Sequence, residues 1–349
     1  MEAMVSIHRL VFAQSWLILG LASIVFLLGC GESDNERGAD STDTIVFTVS
    51  RSGFGEIWVM DSDGRNRIQL TEPTPPEVDA SGSTSPAWSP DGRLIAYAST
   101  GDAVREDQGG VEIYVMSADG GDRRRLTHDD IHDATPTWSP DGQRVAFAHT
   151  PRLGTEDADG VIVVMNADGT GRVEITRHPE TPDVIFDSHP AWSPDGNLIA
   201  FTRATFTSST EPRVEIYTIA PTGGGERLLI EDAAEPAWSP DGSRILFTST
   251  RDRYGETCFH ECSPSGESYV ARADGTDPQR LTTSQADDRS PTWAPDARHI
   301  AFVSDRSNRA NHDNEIYVIG VEGGEVRRVT TNAVWDLEPD WRERGAARS

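Results

Sequence analysis

One short phrase recurs along this chain and constrains its fold more than any other feature. The heptapeptide PAWSPDG at residues 86–92 returns in nearly the same form at 136, 190, 236 and 291, and a curtailed form, PDW, ends at Trp341. The tryptophans of these copies stand at positions 88, 138, 192, 238, 293 and 341. Repetition at a period of about fifty residues is typical of architectures in which each copy is one supersecondary unit.

Each unit has the pattern of four short strands. The phrase is followed by an alternating run such as RLIAYAST, whose apolar residues face one side of a strand. After a variable loop come a third run such as VEIYVMSADG and a short fourth run such as DRRRLT. Pro-Asp-Gly and Ala-Asp-Gly predict tight turns after the first and third strands, because glycine accepts a positive φ. Four such strands predict one blade of a β-propeller.

The two ends of the chain supply the parts of one further blade. Residues 44–71 provide second, third and fourth strands, whereas EPDW at 338–341 is a first strand with no blade after it. We therefore predict an all-β, six-bladed propeller of four antiparallel strands per blade over residues 44–342. In this fold the C-terminal strand completes the N-terminal blade and closes the ring. Each tryptophan is expected to pack between neighbouring blades.

The full repeat unit is similar to that of a known family. The pattern D-x-x-P-x-W-S-P-D-G, an I-A-F type strand, E-I-Y-V-M-x-A-D-G and R-x-L-T resembles the TolB-type WD-like propeller repeat. The resemblance covers residues 44–342 and implies the propeller fold. TolB carries an additional N-terminal α/β domain, and here a tether stands in that place. The resemblance therefore does not imply the partner contacts that TolB makes at that end.

The first thirty residues have a different character from the repeats. His8 and Arg9 precede an apolar run that ends in LLGC at 27–30. This ending resembles the lipobox of bacterial lipoproteins, which implies a signal peptide over residues 1–29 and lipid attachment to Cys30. The alternative is an uncleaved single-span anchor, since about 20 apolar residues cross a bilayer. Both alternatives predict a location in the cell envelope, on the periplasmic or extracellular side.

A polar segment separates this anchor from the propeller. Residues 30–43 comprise the cysteine and GESDNERGADSTD, which has the composition of a flexible tether, and residues 343–349 are a short tail. The formal net charge is −26, which disfavours nucleic acid as a partner because phosphate backbones would be repelled. We expect a monomer that contacts the membrane through the lipid on Cys30.

One face of the propeller is the candidate binding face. The loops between second and third strands and between successive blades share that face and vary in length, as binding loops on a rigid scaffold do. In four units an aspartate stands three residues before the blade proline: Asp133, Asp187, Asp288 and Asp336. A ring of these carboxylates would suit a cation. The alternative is local hydrogen bonding of each carboxylate within its own loop.

A second set of candidates directly precedes the blade prolines, at the expected channel mouth. These residues are Ser85, Thr135, His189, Glu235, Ser290 and Glu338. His189, Glu235 and Glu338 are the binding candidates among them. His189 with His128, His132 and His178 could bind a transition metal, or these imidazoles could be solvated loop residues. Whether a metal binds stays open, and no cofactor other than a channel cation is expected.

Two cysteines fall in one long loop. Cys258 and Cys262 are four residues apart, which predicts a disulfide in an oxidising envelope. The alternative is a zinc site that includes His260 between them, although two thiolates and one imidazole leave a structural site one ligand short.

Two function classes fit these features. The first is a non-catalytic, membrane-tethered scaffold that binds an envelope protein, peptide or glycan through the variable face and channel mouth. The second is a propeller enzyme of lyase or hydrolase type, with a metal-dependent site formed by His189, Glu235 and Glu338 in the channel. A serine hydrolase of the α/β class is excluded, because the sequence contains no G-x-S-x-G elbow.

Overall fold

The computed structural model describes most of the repeat region. It covers residues 43–51, 54–72, 82–101, 110–129, 131–150, 159–179, 183–207, 212–252, 266–307, 313–332 and 334–343. Within these ranges the regular secondary structure is entirely β-strand. No helix long and apolar enough to cross a membrane occurs in this part of the chain. The predicted signal peptide lies outside it, and so does the predicted tether apart from its last residue, Asp43.

The strands alternate with tight turns and loops as the repeat predicts. In chain order they are β1 (Asp43–Arg51), β2 (Phe54–Asp61), β3 (Ile68–Gln69), β4 (Ser83–Trp88), β5 (Leu94–Ser99), β6 (Glu112–Ser117), β7 (Arg124–Arg125), β8 (His132–Trp138), β9 (Arg144–Thr150), β10 (Val161–Asn166), β11 (Val173–Glu174), β12 (Val184–Trp192), β13 (Ile199–Phe206), β14 (Arg213–Ile219), β15 (Arg227–Glu231), β16 (Ala234–Trp238), β17 (Arg244–Ser249), β18 (Glu267–Arg272), β19 (Gln279–Arg280), β20 (Asp288–Trp293), β21 (His299–Ser304), β22 (Glu315–Gly320), β23 (Arg327–Arg328) and β24 (Trp335–Glu343).

These strands form six antiparallel sheets of four strands each. Blades 1 to 5 are β4–β7, β8–β11, β12–β15, β16–β19 and β20–β23, and blade 6 has the order β24-β1-β2-β3. The first strands of successive blades contact one another and so line a central channel. The prediction of a six-bladed propeller is confirmed.

Blade 6 joins the two ends of the chain. Strand β24 pairs antiparallel with β1, with Ile45 opposite Trp341 and Thr44 opposite Arg342. Blade 6 also contacts blade 1 through Asp340, whose Oδ2 accepts a hydrogen bond of 2.7 Å from the backbone N–H of Trp88. The ring therefore closes through a composite blade, as the unpaired first strand at the C-terminus predicts.

The tryptophans of the repeat phrase pack between blades. Trp138 of blade 2 lies in a buried cluster with Ile113 and Val115 of blade 1, and its indole N–H donates to the Ala87 carbonyl. Trp293 of blade 5 makes the corresponding hydrogen bond to Ala237 of blade 4. Because a buried aromatic side chain removes 150–250 Å² from water, these residues contribute strongly to the cohesion of the ring.

The SPDG sequence makes the turn that links the first two strands. In blade 2 the Ser139 hydroxyl donates to Asp141, whose pKa is lowered by this hydrogen bond. The glycine of the turn has φ 67° at Gly142 and φ 65° at Gly92, a region where other residues are strained. The repeated serine, aspartate and glycine thus have a local structural role on the face opposite the variable loops.

Candidate functional site

A ring of strained residues lines the channel at one position of every blade. Each first strand is irregular in register at this position, and the residue before the blade proline has a positive φ. The six members, here called the channel ring, are Ser85 (52°), Thr135 (50°), His189 (49°), Glu235 (56°), Ser290 (50°) and Glu338 (52°). A left-handed conformation costs a residue other than glycine roughly 1–2 kcal/mol, and residues before proline normally favour extended backbone. Such strain persists only where surrounding contacts enforce it.

Side chains of the channel ring connect adjacent blades. Glu338 Oε2 accepts hydrogen bonds from the Ser85 N–H at 2.6 Å and from the Thr48 hydroxyl at 2.9 Å. Glu235 repeats this arrangement with the Ser290 N–H at 2.7 Å.

Blades 2 and 3 are joined by a different pair. There the His189 N–H donates to the Thr135 hydroxyl oxygen at 3.3 Å. These bonds connect blade 6 to blade 1, blade 2 to blade 3 and blade 4 to blade 5, so they help to hold the strained backbone.

The four predicted aspartates are completely buried and are hydrogen-bonded within their own blades. Each carboxylate has a side-chain partner at 2.6–2.9 Å: Asp133 contacts His149, Asp187 contacts Arg203, Asp288 contacts Arg306 and Asp336 contacts Asn332. The structure therefore places each carboxylate in a separate local network of side chains. The sequence alone did not indicate these partners, because they stand in second strands or in loops of variable length.

The arginine partners also pack on aromatic rings. Arg203 Cζ lies 4.6 Å from the ring centre of Tyr217, and Arg306 Cζ lies 4.9 Å from that of Tyr317. Arg203 donates two hydrogen bonds to Asp187 and two more to Glu226. Burial raises the pKa of Asp187, an effect that the bound guanidinium opposes.

Asp336 has a weaker cationic partner. Burial raises the pKa of its carboxyl to about 6, because the Arg67 guanidinium is 4.0 Å away and the direct partner is the neutral Asn332 amide.

The predicted histidines occupy different environments. His128 is exposed, His178 Nε2 lies 3.3 Å from Asp187, and His189 Nδ1 lies 3.0 Å from the Ser188 hydroxyl. His132 lies on β8 with its Nδ1 3.4 Å from the Val111 backbone nitrogen.

Within the described ranges, one group of side chains has the spacing of metal ligands. It comprises Asp129, Asp133 and His149, whose ligand atoms lie within 4.8 Å of one another. It contains none of the four predicted imidazoles. Sequence reasoning missed His149 because this residue lies inside the strand run QRVAFAHT.

The cysteine predictions fall outside the described residues. Cys30, Cys258 and Cys262 all lie in the undescribed ranges, so lipid attachment and the disulfide stay predictions.

Six four-stranded blades, a composite closing blade and tryptophans between blades define the class of this protein as a six-bladed β-propeller. The profile of PD40, the TolB β-propeller domain, matches residues 39–203 and 255–347. This match covers more than half of the chain, and the protein belongs to that family.

Individual relatives agree with this assignment. The chain is 35% identical over 94 residues to the Tol-Pal system protein TolB of Hahella chejuensis, and 34% identical over 93 residues to that of Thioalkalivibrio sulfidiphilus. Each alignment covers 26% of this chain and 19% of the relative. The crystal structure of TolB from Acinetobacter baumannii is similar in fold, with a TM-score of 0.63 and 19% identity over 87% of this chain and 67% of that one.

Proposed function

We propose that this protein is a non-catalytic scaffold of the cell envelope that binds another protein, a peptide or a glycan through its variable-loop face and channel. The channel ring is the observation that carries this proposal. Six residues that are not glycine adopt the same left-handed conformation around one channel, and strain of this kind clusters at ligand-binding sites.

The chemistry of the channel ring favours binding over catalysis. The Glu235 and Glu338 carboxylates each accept hydrogen bonds from a serine of the next blade, so they are already engaged in holding the ring. His189 makes a hydrogen bond with a serine hydroxyl rather than with a carboxylate that could orient it as a base. This arrangement supports a rigid polar rim that recognises a partner by shape and hydrogen bonding.

The proposed location rests on sequence features and on relatives. LLGC at 27–30 resembles a lipobox, and the curated relatives are named as Tol-Pal system proteins. The matched segment spans 19% of those relatives, so their partners are not transferred to this chain. We propose a monomer held by a lipid on Cys30, with the propeller on the periplasmic or extracellular side of the membrane.

Site-specific photo-crosslinking in intact cells tests the proposed binding face. A benzophenone amino acid replaces His189 in the channel ring of the full-length chain, and in a matched variant it replaces Asp141 in an SPDG turn. Irradiation should give a discrete adduct from position 189 and a much weaker one from position 141, and mass spectrometry identifies the attached molecule. Equal adducts from both positions, or an adduct from position 141 alone, would refute the assignment of the binding face.

A further inference from the structure

Blade 2 contains a polar cluster that is separate from the channel ring. Asp133 on β8 is paired with His149 on β9, and Asp133 Oδ1 lies 2.6 Å from His149 Nδ1. Asp129, in the loop before β8, adds a second carboxylate within 4.8 Å of both ligand atoms. The Arg172 guanidinium bridges this group, since NH1 is 2.5 Å from Asp129 Oδ2 and NH2 is 2.5 Å from His149 Nδ1.

One buried carboxylate oxygen of this cluster has no partner among the described residues in either tautomer of His149. If Nδ1 carries the hydrogen, it donates to Asp133 Oδ1, and the Arg172 N–H can donate to the bare Nε2 at 3.2 Å. If Nδ1 is bare, it accepts from Arg172, and Arg172 NH2 is then the cation beside Asp133 Oδ1, at 3.6 Å. In both cases the unpaired oxygen is Asp133 Oδ2. Leaving a buried acceptor unpaired costs about 1–3 kcal/mol.

Blade 3 shows what a matched guanidinium site looks like at the same position. Asp187 is paired with Arg203, which donates to both carboxylate oxygens at 2.7 and 2.9 Å. Arg203 then donates to both oxygens of Glu226 at 2.6 and 3.0 Å. Each of these four contacts joins a donor to an acceptor. The corresponding site of blade 2 has an imidazole in place of this arginine, and its donor set suits a different cation.

We propose that Asp129, Asp133 and His149 form a binding site for a divalent transition-metal ion such as Zn²⁺, which replaces the Arg172 guanidinium. A metal ion accepts the lone pair of His149 Nδ1 and the carboxylate oxygens together, and it gives a partner to the buried Asp133 Oδ2, which has none among the described residues. Two carboxylates and one imidazole are ordinary zinc ligands and leave a coordination position for water. The nitrogen ligand favours a transition metal over Ca²⁺ or Mg²⁺, which prefer oxygen.

The position of Arg172 allows the ion to displace its side chain. Its side chain is 30% exposed, and its guanidinium lies 5.4 Å from the ring centre of Phe147. Asp129 is also partly exposed, whereas Asp133 and His149 are buried. The ion would therefore approach from the side of Asp129 as the arginine turns towards solvent. The two carboxylates carry two negative charges, which a divalent ion neutralises completely. A single guanidinium in the same place leaves the cluster with a net charge of −1.

Zinc titration of the purified full-length protein tests the site. Both loop cysteines are first replaced, by Cys258→Ser and Cys262→Ser, so that the thiolates of this loop cannot contribute. Competition with a chromogenic chelator should show one Zn²⁺ per chain and much weaker binding of Ca²⁺. Cobalt substitution should give visible d–d bands without a near-ultraviolet thiolate band.

Three variants separate this site from other histidines. His149→Ala should weaken zinc binding by about tenfold or more, whereas the matched variant His178→Ala, beside Asp187 in blade 3, should leave it unchanged. Arg172→Met removes the guanidinium, leaves an apolar side chain beside Phe147 and should bind zinc about tenfold more tightly, because the competing cation is gone. Asp129→Asn alters a partly exposed ligand and should weaken binding without unfolding the blade.

The opposite signs of these effects make the result decisive. Weaker binding in His149→Ala together with tighter binding in Arg172→Met supports the site. Absence of stoichiometric zinc from both the parent protein and Arg172→Met would overturn it. Equal affinity in His149→Ala and the parent, or no gain in Arg172→Met, would also overturn it.

Discussion

Closure of the ring between blades 6 and 1 can be tested with one glycine. Arg342 follows the last tryptophan, and its Cζ lies 4.1 Å from the ring centre of Trp88 in blade 1. A Cβ at Gly92, in the SPDG turn of blade 1, would lie 1.3 Å from Arg342 NH1. The substitution Gly92→Ala therefore displaces the guanidinium from Trp88 as well as straining the turn.

Gly142→Ala is the matched control, because it has the same turn without the arginine. Its φ is 67° against 65° at Gly92, and its added Cβ would meet only Pro90 Cδ, at 3.8 Å. Both substitutions should cost roughly 1–2 kcal/mol for the left-handed backbone. Gly92→Ala should cost about 0.5–2 kcal/mol more, the range for a cation–π contact.

Equilibrium unfolding in guanidinium chloride, followed by tryptophan fluorescence, measures both costs. A double-mutant cycle assigns the difference, since in an Arg342→Ala background the two glycine substitutions should become equally costly. Equal costs in the parent background would show that Arg342 does not lie over the blade 1 turn, and the description of the closing joint would be refuted.

Three further predictions concern buried groups. Burial raises the pKa of Asp336 to about 6 in the folded protein, so between about pH 4 and 6 the folded state binds more protons than the unfolded state. The free energy of unfolding should therefore fall as pH rises through this window, by about 1.4 kcal/mol per pH unit at most. The pH-dependent unfolding of Asp336→Asn should lack this part of the slope. Arg203→Met leaves Asp187 buried without its arginine and should cost about 3–5 kcal/mol in chemical unfolding, and a cost below 1 kcal/mol would contradict the buried pair. Trp293→Phe removes the indole hydrogen bond to Ala237. It should cost about 1 kcal/mol more than Trp192→Phe, because the indole N–H of Trp192 has no partner in the described part of the chain. Equal denaturation midpoints of the two variants would show that the bond to Ala237 is not formed.

The sequence predicts the fold well because the information repeats. Each copy of the phrase carries a proline, a tryptophan and a turn glycine in a fixed order, so the blade count and the composite blade follow from spacing alone. The channel ring was also found by position, because its members directly precede the blade prolines. Their left-handed backbone was not predicted, since residues before proline usually favour extended conformations.

The partners of the buried aspartates could not be predicted in the same way. Arg203 and Arg306 occupy different positions relative to their blade tryptophans, and Arg172 belongs to the end of its blade rather than to its second strand. Their contacts are made by long side chains that cross a blade face, and the sequence repeat does not predict where such a side chain ends. His149 shows the same limit, because a strand histidine gives no sign of the carboxylate opposite it.

The pairing of the chain ends can be measured directly with an engineered disulfide. Ser50 of β1 lies opposite Trp335 of β24, whereas Leu337 is opposite Thr48 and so out of line with Ser50. In a background without native cysteines, Ser50→Cys with Trp335→Cys should oxidise within one chain and raise the denaturation midpoint, and Ser50→Cys with Leu337→Cys should do so poorly. Absence of the first crosslink in the folded protein, or equal yields from the two pairs, would contradict the closed six-bladed ring from which both faces of the molecule are assigned.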